Sequence, residues 1–197
     1  MKWTQDLTHD IRTGNGYDDV DGADNPYGGA RGEFTEENRA ALTEHFLKVR
    51  DNCSAILEIG VCRNEDLSST HCFLKNKKQE TIYLGIDIED KSFLNNAEQN
   101  IFTLKNTSMD VNGNIATMQQ LGIKQFDFIF IDGWHSINAV MTEWEYTHLL
   151  GPNGIVGFHD TNYHPGPNRF INALNTDKWH VVKACPDDYG ISFAWRK

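Results

Sequence analysis

The feature that most restricts the fold is a set of short apolar runs, each too brief for a buried helix and each followed by a polar or helical stretch. They lie at Ala55–Val61 (AILEIGV), Thr81–Ile88, Ile101–Lys105, Phe126–Asp132 (FDFIFID), Ile155–His159, Trp179–Ala184 and Ile191–Trp195. Near-continuous apolar runs of this length are what strands buried on both faces look like, because helices cover each side of a parallel sheet. The fold class is therefore α/β, with a mostly parallel sheet and helices on both faces. The last two runs are joined only by CPDDYG, too short for a crossover helix and long enough for a hairpin loop. The sheet should end in an antiparallel C-terminal hairpin.

Ahead of these runs, Thr35 precedes Glu36 and Glu37, and Leu42, Phe46, Leu47 and Val49 recur at helical spacing, which predicts an N-capped amphipathic helix over about 35–51. Residues 1–33 differ in character. Six glycines among many Asp and Asn cannot bury enough apolar surface for a core, so this stretch is expected to be a flexible arm or lid, with residues 34–197 as one domain.

The formal net charge is −10, so the mean field repels nucleic acid. The basic cluster Lys75, Lys77 and Lys78 reads as a solvated helix end. No apolar run approaches the roughly 18 residues that cross a bilayer, so no membrane partner is expected. Cys53, Cys62, Cys72 and Cys185 show no CxxC spacing and read as buried thiols in a reducing, cytoplasmic setting. A small-molecule substrate remains the natural partner, and the sequence leaves a homo-oligomer open.

In an open parallel sheet, ligands bind beyond the carboxyl ends of the strands, so the residues that finish each run carry the information. These are Glu58-Ile59-Gly60, Gly85-Ile86-Asp87, Asp132-Gly133-Trp134-His135 and His159-Asp160. Gly60 lets backbone N–H groups approach a cofactor at a helix N-terminus, and the hydroxyls of Ser68, Ser69 and Thr70 either cap that helix or meet the ligand. Asp87 is placed to accept both hydroxyls of a ribose. Asp132 and Asp160, with His135, can hold a hard divalent cation, for which Mg²⁺ is expected, with the imidazole as base or ligand. The bland alternative has the two acids capping loops and His159 packed in the core.

At these residues the chain resembles the class I S-adenosylmethionine-dependent methyltransferases, in the branch similar to macrocin O-methyltransferase and cephalosporin-hydroxylase-like proteins. The resemblance covers roughly residues 54–197. It is most specific in IDGWHSINAVMTEWEYTHLLGPNGIVGFHD, with LEIGV plus SST similar to a cofactor loop and YLGIDI to a ribose-binding acid. It implies a Rossmann-like seven-stranded sheet. It also implies S-adenosyl-L-methionine, with its methionine near Glu58 and Gly60, its ribose at Asp87 and its adenine near Ser108 and Met109. His135 stands where catechol-type relatives carry a catalytic lysine. The family's second loop glycine is missing, and corresponds to Asn64.

The expected reaction is methyl transfer to a substrate hydroxyl. Asp132 and Asp160 would ligate the metal, Thr161 or Asn162 would add an oxygen, and His135 would take the proton. Two rivals share the scaffold: a hydroxylase-like iron enzyme using His135, His159 and Asp160, and an accessory protein without turnover. The iron reading meets an objection, since adjacent residues on an extended strand point in opposite directions.

Overall fold

The computed structural model describes residues 3–8, 34–61, 67–185 and 189–197. The turn at Asn64, with Cys62, and most of the expected arm lie outside the described residues.

Seven strands form one sheet: β1 (Ala55–Ile59), β2 (Ile82–Asp87), β3 (Ile101–Lys105), β4 (Phe126–Ile131), β5 (Leu150–His159), β6 (Trp179–Cys185) and β7 (Ile191–Arg196). Their spatial order is β3-β2-β1-β4-β5-β7-β6. The first five pair in parallel, while β7 runs antiparallel to both β5 and β6. The apolar runs and the closing hairpin thus appear where the sequence puts them. The exception is β5, which starts at Leu150, because Leu150 pairs with Phe126 before extra β5 residues shift the register to Phe128 opposite Ile155.

The helices are α1 (Trp3–Asp6), α2 (Glu36–Arg50), α3 (Ser69–Asn76), α4 (Val111–Gln120), α5 (Ile137–Glu143) and α6 (Pro165–Ala173). The helix expected over 35–51 is α2, and Thr35 caps it by accepting from the Asn38 N–H. Strand alternation sends β1 side chains to two cores. Leu57 and Ile59 join Ile129, Ile131, Val156, Trp144 and Phe170 on one face. Ile56 joins Phe128, Phe130, Phe193 and the α2 and α3 residues Leu42, Phe46 and Phe73 on the other. Residues 3–8 dock on the domain: Leu7 bridges Leu174, Thr8 N donates to Ala173 O at 2.8 Å, and Trp179 Nε1 donates to Asp6 Oδ1 at 3.2 Å.

Candidate active site at the strand carboxyl ends

The strand order reverses between β1 and β4, the point of an open α/β sheet beyond whose carboxyl ends ligands bind. Gly60 forms the floor of the turn after β1 with a φ of +82°, and its N–H donates to Ile86 O at 2.9 Å. A Cβ at this position would stand 1.9 Å from the Asp132 carbonyl oxygen, so the β1 and β4 turns approach as closely as they do because residue 60 is glycine. Asp87 ties the neighbouring turn to this floor. Its Oδ2 accepts from the Val61 N–H and its Oδ1 from the Glu89 N–H, both at 2.8 Å. A carboxylate has about four lone-pair sites, so these bonds leave capacity for ribose hydroxyls.

Glu58 sits differently. It is 0% exposed on the α2–α3 face, and its two oxygens accept from Ser69 Oγ, from Thr70 Oγ1 at 2.7 Å and from the Tyr83 hydroxyl. Ser68 caps α3, its Oγ accepting from His71 N at 3.2 Å. Glu58 therefore fixes the start of α3 from below, and Tyr83 is a partner that nothing in the E-x-G motif signals. Removing one donor leaves a buried carboxylate lone pair unmet, so Thr70→Val is expected to cost about 1–3 kcal/mol, read as a lower urea midpoint.

The acid and imidazole cluster lies one strand over, past β4 and β5. Asp160 Oδ2 is 2.8 Å from His135 Nε2 and 3.2 Å from His159 Nδ1, and Asp132 Oδ1 is also 3.2 Å from His159 Nδ1. The convergence of His159 with Asp160 corrects the expectation that these neighbours diverge. Asp160 has left the extended conformation, with a φ of +58°, and this swings its carboxylate back beside the preceding imidazole. Burial lowers the His159 pKa, but the two carboxylates outweigh it and hold the ring well above the ordinary histidine range. Asp160, though buried, is held below the usual carboxylate range by His159 and His135. His159 Nε2 is buried with no hydrogen-bond partner among the described residues.

The ligand atoms of Asp132, His159 and Asp160 lie within 4.8 Å of one another, as do those of His135, Asp160 and His164. The first set, two carboxylates and one imidazole, fits a divalent cation that completes its shell with water and displaces the proton the carboxylates hold on His159. In the second set the His135 and His164 rings stack at 3.8 Å with 21° between planes, so two ring nitrogens do not aim at one ion. The Thr161 hydroxyl pairs with Ser192 Oγ at 2.7 Å, and the Thr161 carbonyl accepts from Asn168. His164 reads as a surface residue in sequence, yet it backs His135. Phe34, at the start of α2, packs on His159 with ring centroids 5.0 Å apart.

Ser108 and Met109 follow β3. Ser108 Oγ donates to Glu143 Oε1 at 2.7 Å, and Met109 is 46% exposed. Two further apolar residues stand open at strand ends: Ile88 after β2 at 70% and Trp134 after β4 at 59%. Their position beside Asp87 and Asp132 was the available sequence signal.

Burial pushes both Glu58 and Glu143 up from the ordinary 4.5 to about 7, against the hydrogen bonds they accept. Each binds its proton more readily folded than unfolded, so its stabilising contribution is complete below pH 4.5 and is lost as pH rises toward about 7. Glu143→Gln is expected to flatten the fall in unfolding free energy between pH 5 and 8; an unchanged slope assigns the proton elsewhere.

The order of the sheet and its antiparallel end make a Rossmann-like fold that solved methyltransferase structures share. No family model and no curated protein matches the chain. Among solved structures, the MycE methyltransferase of the mycinamycin biosynthetic pathway, in complex with Mg, SAH and mycinamycin VI, is similar at a TM-score of 0.58 and 18% identity, over 86% of this chain and 56% of that one. The apo structure of CalS11, a TDP-rhamnose 3'-O-methyltransferase of calicheamicin biosynthesis, is similar at 0.58 and 14% identity, over 83% and 81%. The chain spans about half the length of MycE.

Proposed function

We propose that this chain is an S-adenosylmethionine-dependent O-methyltransferase that uses a divalent cation, Mg²⁺, and acts on a hydroxyl of a small molecule. One observation carries the reading: past β4 and β5, Asp160 joins His135 on one side and His159 with Asp132 on the other, next to the β1 and β2 ends that carry Gly60 and Asp87. The Mg- and SAH-bound MycE complex and the O-methyltransferase CalS11 support it as structures of the same fold.

Asp87 takes the ribose hydroxyls, and the backbone at Gly60 and the start of α3 receive the methionine part. Ser108, Met109, Ile88 and Trp134 flank the base. Asp132 and Asp160 hold the cation, with His159 as their third partner, and Thr161 stays beside Ser192. A bound Mg²⁺ supplies Lewis acidity that lowers the acceptor hydroxyl's pKa. His135 accepts the proton, its ring held by the 2.8 Å contact from Nε2 to Asp160 and by stacking on His164. Crowded carboxylates and a net charge of −10 favour a neutral acceptor. A cytoplasmic location and a domain over 34–197, with residues 1–33 as an arm anchored at residues 3–8, belong to the same reading.

Transfer of a labelled methyl group to a panel of sugar and phenol acceptors is expected to stop with chelator and return with Mg²⁺; chelator-resistant transfer removes the cation from the reaction. The iron alternative has less support, because His135 and His159 each meet Asp160 but belong to different clusters of possible ligands among the described residues. Metal analysis of protein purified without oxygen separates the two, because iron retained at one equivalent supports the second.

A further inference from the structure

Glu143 is a fully buried acid that the reaction above does not use. It ends α5 and lies under the turn that carries Asp132 and His135, where a Cβ on Gly133 would stand 2.4 Å from its Oε1. Its contact to Ser108 reaches from the β4 side to the loop after β3. Tyr146, three residues on and so on the same helical side, donates its hydroxyl to the Ser108 carbonyl at 2.8 Å. Asn114 braces the same loop through the Thr107 carbonyl at 2.9 Å and the Tyr146 hydroxyl at 2.8 Å. Ser108 is thus held at its carbonyl and at its hydroxyl, while remaining half-exposed at the strand ends.

We propose that Glu143 is a positioning residue that fixes Ser108 as a hydrogen-bond acceptor, so that the base subsite selects a 6-amino purine over its 6-oxo counterpart. This rests on the cofactor reading, which places the base at Ser108 and Met109. A serine hydroxyl has one proton and two lone pairs. Glu143 Oε1 accepts from it whether the acid is ionised or carries its proton on Oε2, so the polarity does not depend on the charge of the acid. With the proton committed inward, Ser108 presents lone pairs at the strand ends. The amino group of adenine donates to them, whereas the carbonyl oxygen of hypoxanthine meets them lone pair to lone pair. Sites built around one polar contact reject an analogue that cannot make it.

The test compares S-adenosylhomocysteine with S-inosylhomocysteine by titration calorimetry on the full chain. Wild type is expected to prefer the adenosyl compound by about tenfold or more, as one well-placed hydrogen bond supports. Ser108→Ala and Glu143→Leu should both bring the ratio close to one. A merely structural role for Glu143 lowers affinity for both compounds together and leaves the ratio unchanged, which overturns the proposal. Equal binding by wild type overturns it as well. Should Glu143→Leu fail to fold, Glu143→Asp, whose shorter side chain no longer reaches Ser108, is expected to bring the ratio toward one in its place, and an unchanged ratio overturns the proposal. If wild type binds neither compound, the cofactor reading itself fails and this inference with it.

Discussion

Asp160→Asn is expected to lower methyl transfer by roughly a hundredfold or more while changing S-adenosylhomocysteine affinity by less than about threefold. Asparagine suits the purpose because it tolerates the left-handed backbone that residue 160 adopts, at φ +58°, so the turn survives and only the charge goes. Asp160 joins two imidazoles, His135 at 2.8 Å and His159 at 3.2 Å, and in the proposed reaction it also holds the cation. Losing the carboxylate therefore removes a cation ligand and the group that orients the base. The proposed cofactor contacts at Gly60 and Asp87 belong to β1 and β2, on the far side of β4, and are left alone. Initial rates together with calorimetry read both quantities. Full activity in this variant would take the acid cluster out of the chemistry.

Gly60→Ala is expected to destabilise the fold by about 3 kcal/mol or more, the sum of a left-handed alanine and an overpacked turn. The clash is with backbone, since the new methyl carbon would stand 1.9 Å from the Asp132 carbonyl oxygen. Relief requires β1 and β4 to separate where Asp132 N donates to Ile59 O at 2.9 Å. The urea midpoint should drop at nearly constant slope. A midpoint equal to wild type would mean that the two turns do not approach this closely in solution.

The strands were legible because each is an apolar run ended by glycine or acid, and burial on two faces leaves that mark whatever the tertiary detail. The residues that terminate them, Gly60, Asp87, Asp132 and Asp160, follow from the same rule. What escaped the pattern depends on geometry that no period encodes. The joining of His159 to the cluster follows from the left-handed backbone of Asp160, and a non-glycine residue gives little notice of that conformation. Glu143 looks like a polar position on a short helix. It is buried because Ser108, from a loop after another strand, meets it. Glu58 was legible as an acid at a strand end, but its three hydroxyl partners, which turn it toward holding α3, come from β2 and α3. Leu150 opens β5 ahead of the apolar run at Ile155–His159, because it pairs with Phe126 before extra β5 residues shift the register.

The proposed function requires that the carboxyl ends of β1 and β4 bind S-adenosylmethionine. Titration calorimetry of the full chain with S-adenosylhomocysteine, with and without Mg²⁺, tests it most directly. Saturable one-to-one binding is expected, weakened about tenfold or more by Asp87→Ala, which removes the proposed ribose acceptor. No heat from wild type at millimolar ligand would contradict it and leave a scaffold without turnover.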